Sequence, residues 1–217
     1  MNRFLKIGFF VAGLMVFFTA AYAIQQPLEA IKGPVDQVLH VLQDPQYSAA
    51  DKQAELRDKI WTITRPMFDF ELIAKRSVGR YHWTNTFSAT QRTEFVDLFS
   101  RFMGNTYLQR IKGNVSDIRI EYTEQQISET KPLARVKSIV SHSNVEVELD
   151  YKLRLRDGTW KIYDLYAAGV SLTQNYKTQF EKILMNETAD QLIERLRQKI
   201  AEQQGNPSTD NLTNAQP

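Results

Sequence analysis

The chain has 217 residues, with 27 Lys and Arg against 25 Asp and Glu, and no cysteine. That length can bury one sizeable core without staples, and the lack of thiols excludes disulfides and thiolate metal sites. The near-balance of charge gives no electrostatic grip on nucleic acid or on an anionic membrane.

Met1–Ala23 carries the three parts of a secretory signal peptide. Arg3 and Lys6 precede the apolar run Ile7–Phe18, and Ala21-Tyr22-Ala23 is a small-x-small cleavage site. The apolar run of about a dozen residues falls short of the ~20 that a membrane span needs. No Cys follows it, which excludes a lipoprotein anchor. The mature chain is expected to start near Ile24 as a soluble exported protein. Without Arg3 and Lys6 it holds 25 basic and 25 acidic residues and is neutral.

Pro27–Gln43 reads as a helix, because Leu28, Ile31, Val35, Val38, Leu39 and Leu42 keep a roughly 3.6-residue spacing. Gly33-Pro34 should kink it or delay its start. Ser48 is placed to cap a second helix running to about Thr64, with Leu56, Ile60 and Ile63 on one face and Pro66 as the stop. Asp69 can cap a short helix that points Phe70, Ile73, Ala74 and Val78 inward. Lys75, Arg76 and Arg80 form its basic side, a solvated face or a contact for phosphate or a partner. Tyr81 and Trp83 close the segment as amphipathic rims.

Ser88 opens the strongest helix, with Gln91 three residues on completing a capping-box pattern. Phe95, Leu98, Phe99, Phe102, Met103, Thr106, Tyr107 and Ile111 follow at helical spacing, and Gly113-Asn114 should end it. From there the period changes to two. Ile118, Ile120 and Tyr122 alternate with Arg119 and Glu121. Ala134, Val136, Ser138 and Val140 alternate with Arg135, Lys137 and Ile139. Val145, Val147, Leu149, Tyr151, Leu153 and Leu155 alternate with charged residues. These are strands with one wet face, turned at His142-Ser143-Asn144 and at Asp157-Gly158.

The fourth strand places Trp160, Ile162 and Asp164 on one face, with Lys161, Tyr163 and Leu165 on the other. It runs through Ala167-Ala168-Gly169 into Ser171, a natural N-cap. Behind that cap, Leu172, Tyr176, Phe180 and Leu184 make one apolar helix face. Thr188 caps a last helix with Ala189, Leu192, Ile193, Leu196 and Ile200 inward. The tail 205–217 is polar, rich in Asn, Gln, Pro, Ser and Thr, and is expected to be disordered. The layout predicts a single α+β domain over 24–204, in which a curved four-stranded antiparallel sheet packs against several helices as in the cone of NTF2-like domains.

A search for chemistry is empty. His40, His82 and His142 are scattered, and there is no Gly-x-Ser-x-Gly elbow, His-Glu-x-x-His or phosphate loop. No catalytic residue, metal or cofactor is expected. Asp164 on the inner sheet face is a conceivable general base, set against a structural carboxylate hydrogen-bonded to backbone near a helix start.

The stretch Trp160–Phe180 resembles the MlaC, or toluene-tolerance, family of periplasmic lipid carriers. The resemblance rests on Trp160, Asp164, Gly169-Val170-Ser171-Leu172, Asn175-Tyr176 and Phe180. Thr86–Tyr107 is similar too, in its Phe-Ser start and its Thr-Tyr near the end. It covers about Leu28 to Ile200. Two departures are mild: Ala167-Ala168 stands where a polar residue usually precedes Gly-Val-Ser, and Lys177 follows Tyr176 where Arg is common.

The resemblance implies an apolar cavity between sheet and helices that takes phospholipid acyl chains. It also implies a monomer shuttling between an outer-membrane lipoprotein complex and an inner-membrane ABC transporter with an MCE-domain subunit. Facing parity together with position in the matching segments names the cavity wall as Phe99, Met103, Val136, Val145, Val147, Leu149, Tyr151, Leu172, Tyr176 and Phe180. Two alternatives stay open: an exported NTF2-like enzyme using Asp164, and a ligand-free interaction subunit of an envelope complex.

Overall fold

A computed structural model describes residues 25–109 and 117–205. The signal peptide, Ile111, the Gly113-Asn114 helix stop and the tail beyond Gly205 lie outside the described residues. Among the described residues, six α-helices accompany a five-stranded antiparallel sheet: α1 (Pro27–Leu42), α2 (Gln53–Thr64), α3 (Phe70–Asn85), α4 (Ala89–Leu108), β1 (Arg119–Ile127), β2 (Leu133–His142), β3 (Val145–Arg156), β4 (Thr159–Ala167), β5 (Val170–Ser171), α5 (Leu172–Leu184) and α6 (Ala189–Gly205). The sheet is a meander in the order β1-β2-β3-β4-β5.

The expected four strands are therefore five. β5 has only two residues, Val170 and Ser171, which pair with Ala167 and Tyr166. Ala168 and Gly169 form the turn between them with φ of 48° and 80°. The same two-residue turn, with both central residues at positive φ, joins β2 to β3 at Ser143-Asn144 and β3 to β4 at Asp157-Gly158. Positive φ at both positions matches the right-handed twist of the flanking strands.

α1 does not start late: it runs unbroken through Gly33-Pro34. A proline inside a helix costs ~3 kcal/mol. Here Ile31, fully buried against the sheet, and Val41, buried against α2, hold the helix down on both sides of it. Ser48 does not cap α2. Its hydroxyl donates back to the Pro45 carbonyl at 2.7 Å, two short 3-10 turns intervene, and α2 begins at Gln53. Asp69 caps α3 by accepting from the Leu72 N–H at 3.1 Å. That helix is longer than expected and broken at Gly79, whose φ of 76° and ψ of 155° lie where essentially only glycine goes. Tyr81 beyond the break is exposed while Trp83 is buried.

The capping box at the start of α4 is complete, with Gln91 N–H to Ser88 Oγ at 3.2 Å and Ser88 N–H to Gln91 Oε1 at 2.8 Å. Thr188 and Gln191 repeat it at α6. Midway along α4, Gly104 lets the Trp61 ring of α2 approach so closely that a Cβ there would lie 2.8 Å from it.

The core is divided. One apolar cluster joins α3, α4, α5 and α6 and is rich in aromatics. A second joins α1 to the sheet through Ile31, Ala134, Val136, Tyr151, Leu153, Trp160 and Ile162. A third holds α1 to α2. Among the described residues Phe68, just before α3, packs against both the helical cluster and the sheet cluster.

Candidate lipid-binding face

Directly opposed residues of an antiparallel sheet share a face, so the register fixes which side chains look toward α1. Beyond the paired Leu155 and Trp160, four further rows cross the sheet on that inner face. The first is Ile127, Ala134, Leu153 and Ile162; next come Gln125, Val136, Tyr151 and Leu165; then Tyr122, Ser138, Leu149 and Ala167; then Ile120, Val140 and Val147. His142 and Val145 follow at the rim.

Burial falls along these rows. Ala134, Leu153 and Ile162 are buried beneath Ile31, as are Val136 and Tyr151. Leu149 and Leu165 are partly exposed, and so are Ile120, Val140 and Val147. Val145 at the rim is 61% exposed. The inner face is thus an apolar surface closed at one end and open at the other. Exposed aliphatic side chains gathered in one contiguous patch mark a candidate interaction surface.

β4 holds a correction. Leu153 pairs with Ile162 but Lys152 pairs with Asp164, leaving Tyr163 as an extra residue in the ladder. That β-bulge reverses the alternation beyond it. Asp164 therefore lies on the outer face with Lys152, and Leu165 turns inward opposite Tyr151. Asp164 is 1% exposed and fully engaged. Its Oδ1 accepts from the backbone N–H of Leu165 at 3.0 Å and of Thr173 at 3.1 Å. Its Oδ2 accepts from the hydroxyls of Ser171 and Thr173, both at 2.9 Å, and from Arg76 Nη2 at 3.5 Å. With every lone-pair direction occupied, this carboxylate joins β4 to the start of α5.

Arg76 is drawn into that joint. Its guanidinium also stacks over the Tyr163 ring, 5.3 Å from the centroid. Of the basic side chains on α3, Lys75 and Arg80 remain on the surface.

The ten residues expected to form the cavity wall fall into two groups. Val136, Leu149 and Tyr151 belong to the sheet cluster, with Val147 and Val145 further along the same face. Phe99, Met103, Leu172, Tyr176 and Phe180 belong to the helical cluster. There Phe99 meets Tyr176 edge-on at 4.9 Å and Phe180 at 5.3 Å. The two groups centre on separate buried clusters, and Phe68 packs against both. Tyr122, Leu165 and Phe68 were not anticipated as part of the site. Leu165 was hidden by the bulge, and Phe68 by its position in a loop with no period.

Tyr122, Ser138 and Tyr151 put three hydroxyls on this face, whose one other polar side chain in these rows, Gln125, accepts from the Leu28 N–H at 2.7 Å. Ser138, fully buried, donates to the Tyr151 hydroxyl at 3.4 Å. The Tyr122 hydroxyl is buried and has no hydrogen-bond partner among the described residues. Burial pushes the ionisation of both phenols up, so both stay neutral donors.

No group of His, Asp and Glu among the described residues could hold a metal ion, and no described helix is long and apolar enough to cross a membrane. A small cleft between α2, α4 and the end of α6 is lined mainly by polar side chains such as Arg57, Asp58, Arg101 and Gln204.

The family model described as MlaC protein matches residues 32–198. The chain belongs to the MlaC family. One MlaC relative, the intermembrane phospholipid transport system binding protein MlaC of Haemophilus influenzae, is 23% identical over 206 residues, or 93% of this chain and 95% of that protein. A phospholipid-binding protein from Ralstonia solanacearum, solved in complex with a phospholipid, shares the fold with a TM-score of 0.69. The two are 23% identical, and the likeness covers 82% of this chain and 98% of the other. The matched region takes in the sheet, α2 to α5 and most of α1 and α6, so the inner face described above lies within the MlaC-family domain.

Proposed function

We propose that this protein is a periplasmic phospholipid carrier, exported by the signal peptide Met1–Ala23 and working without catalysis. It holds acyl chains against the inner sheet face and along the junction at Phe68. The observation that carries this reading is the gradient of that face, from buried Leu153 and Val136 to exposed Val145, with no charged side chain in its rows. The H. influenzae relative is named for intermembrane phospholipid transport and the R. solanacearum neighbour was solved with a phospholipid, which supports the same ligand class here.

The physical need for such a carrier is large. Each buried methylene is worth ~0.8 kcal/mol, so about thirty of them resist desorption into water by roughly 20 kcal/mol or more. An apolar surface of equal extent on a soluble protein removes most of that barrier. The carrier works as a monomer between an outer-membrane lipoprotein complex and the MCE-domain subunit of an inner-membrane ABC transporter.

The deciding experiment is native mass spectrometry of the protein purified from cells, followed by solvent extraction and lipid identification. A stoichiometric adduct of phospholipid mass is expected. A bare protein that also takes up no lipid from vesicles would overturn the carrier reading.

A further inference from the structure

A hydroxyl with no partner on a surface meant for hydrocarbon is costly unless something arrives to use it. A buried polar group without a hydrogen bond costs the desolvation that water no longer repays. The Tyr122 hydroxyl is in that position. It stands in the row that also holds Ser138, one strand away. Ser138 in turn reaches Tyr151 on the next strand. Three adjacent strands thus each supply one hydroxyl to the same patch, while their row neighbours Val136, Leu149 and Leu165 are aliphatic and Gln125 is engaged by the Leu28 N–H.

The patch has a definite depth. Two residues of strand span about 6.7 Å, so the Tyr122–Ser138 row lies two rows, or about 13 Å, inside the rim marked by His142 and Val145. Deeper rows are closed by Ile31, and shallower rows are open. Of the parts of an acyl lipid that could reach this row, the glycerol level is the one that offers uncharged oxygen atoms. The glycerol level of an acyl lipid presents carbonyl oxygens, which accept hydrogen bonds and carry no charge. Neutral phenols are suited to such an acceptor. A phosphate would call for cations, and none stands in these rows.

We propose that Tyr122, supported by Ser138 and Tyr151, donates a hydrogen bond to an ester carbonyl of a bound acyl-glycerol lipid. The inference rests on the carrier reading. It makes the face selective for ester-linked lipids over ether-linked ones, because an ether oxygen is a poorer acceptor in the wrong place.

The test compares uptake from vesicles of a diester phosphatidylglycerol and its diether analogue with the same chain lengths, read by native mass spectrometry on wild type and Tyr122→Phe. Wild type should favour the diester roughly five- to tenfold, the range one hydrogen bond supplies. Tyr122→Phe should take up both equally, at the level wild type shows for the diether. Since the hydroxyl has no partner among the described residues, the variant should keep the wild-type melting temperature or exceed it. Equal uptake of the two lipids by wild type, or an undiminished preference in Tyr122→Phe, would overturn the anchor and leave the carrier reading standing. No uptake of either lipid by wild type would overturn both.

Discussion

Asp164 and Thr173 are joined twice, backbone N–H to Oδ1 at 3.1 Å and hydroxyl to Oδ2 at 2.9 Å. A strand carboxylate thereby takes the second N–H of helix α5, one of the donors that a helix start leaves unsatisfied, and it sits where the helix dipole favours negative charge. Ser171 completes the relay, accepting from the Gln174 N–H at 3.1 Å while donating to Asp164 at 2.9 Å. Replacing Asp164 by Ala would strand several buried donors at once and should cost about 3–5 kcal/mol. Asp164→Asn keeps the volume but turns an amide toward Arg76, and should cost about 2 kcal/mol. Urea unfolding of the three proteins measures both. A loss below about 0.5 kcal/mol for Asp164→Ala would contradict the joint.

Val147 and Leu149 lie where the inner face opens. Val147→Trp and Leu149→Trp place a large ring over that surface without entering the closed rows, so fold and unfolding midpoint should stay near wild type while lipid content falls at least tenfold. Native mass spectrometry of the variants purified from cells reads the result. Lipid retained at wild-type stoichiometry would remove this strand face from the binding surface.

Ala168 occupies the left-handed region at φ 48°, where a Cβ costs about 1–2 kcal/mol. Ala168→Asn creates the Asn-Gly pair that this turn type prefers and should stabilise the protein by about 1 kcal/mol, raising the melting temperature by about 2–4 °C. Differential scanning calorimetry checks it.

Gly104→Ala tests the contact with Trp61 in the opposite direction. Alanine favours a helix interior by about 1 kcal/mol over glycine, yet its Cβ would press the indole at 2.8 Å. Overpacking typically costs ~1–3 kcal/mol, so the net change should be a loss. The Trp61→Ala background, where the ring is absent, should turn Gly104→Ala into a gain. Unfolding of the four proteins of that cycle gives the coupling directly.

Asp150 provides a pH dependence on the outer face. Burial pushes its carboxyl up, but two hydrogen bonds from Arg135, at 2.8 and 2.5 Å, and the nearby Lys152 ammonium more than offset this and leave it below the usual range. A group depressed in the folded state contributes stability above its unfolded pKa, near 3.9 for Asp, and loses it as pH falls through the folded value. Asp150→Asn should therefore destabilise at pH 7 by about 1 kcal/mol, and the gap to wild type should shrink below pH 4. Paired urea titrations at pH 7 and pH 3 read it.

What the sequence determined by itself is local. Ser88 with Gln91, Ser171 and Asp157-Gly158 act through hydrogen bonds or φ angles within a few residues, so caps and turns could be read from the letters alone. The inner face of β2 and β3, and of β1 as far as Tyr122, was legible for the same reason, since strand pleating alternates side chains strictly; beyond Tyr122 a bulge at Thr123 shifts the register of β1. Ser48 misled because its hydroxyl had a nearer carbonyl, Pro45, to bond.

Only the tertiary structure decided the rest, and in each instance the cause lies in a partner distant in sequence. The bulge at Tyr163 exists through pairing with β3, and it alone moves Asp164 to the outer face and Leu165 to the inner one. The two residues of β5 carry too little pattern to be seen without β4 beside them. Periodicity assigned Phe99, Tyr176, Val136 and Tyr151 to buried faces but could not say that two different cores bury them, because a helix or strand records how much of it is covered and not by what. The bare Tyr122 hydroxyl, meaningful only beside Ser138 and Tyr151, is a product of register in the folded sheet.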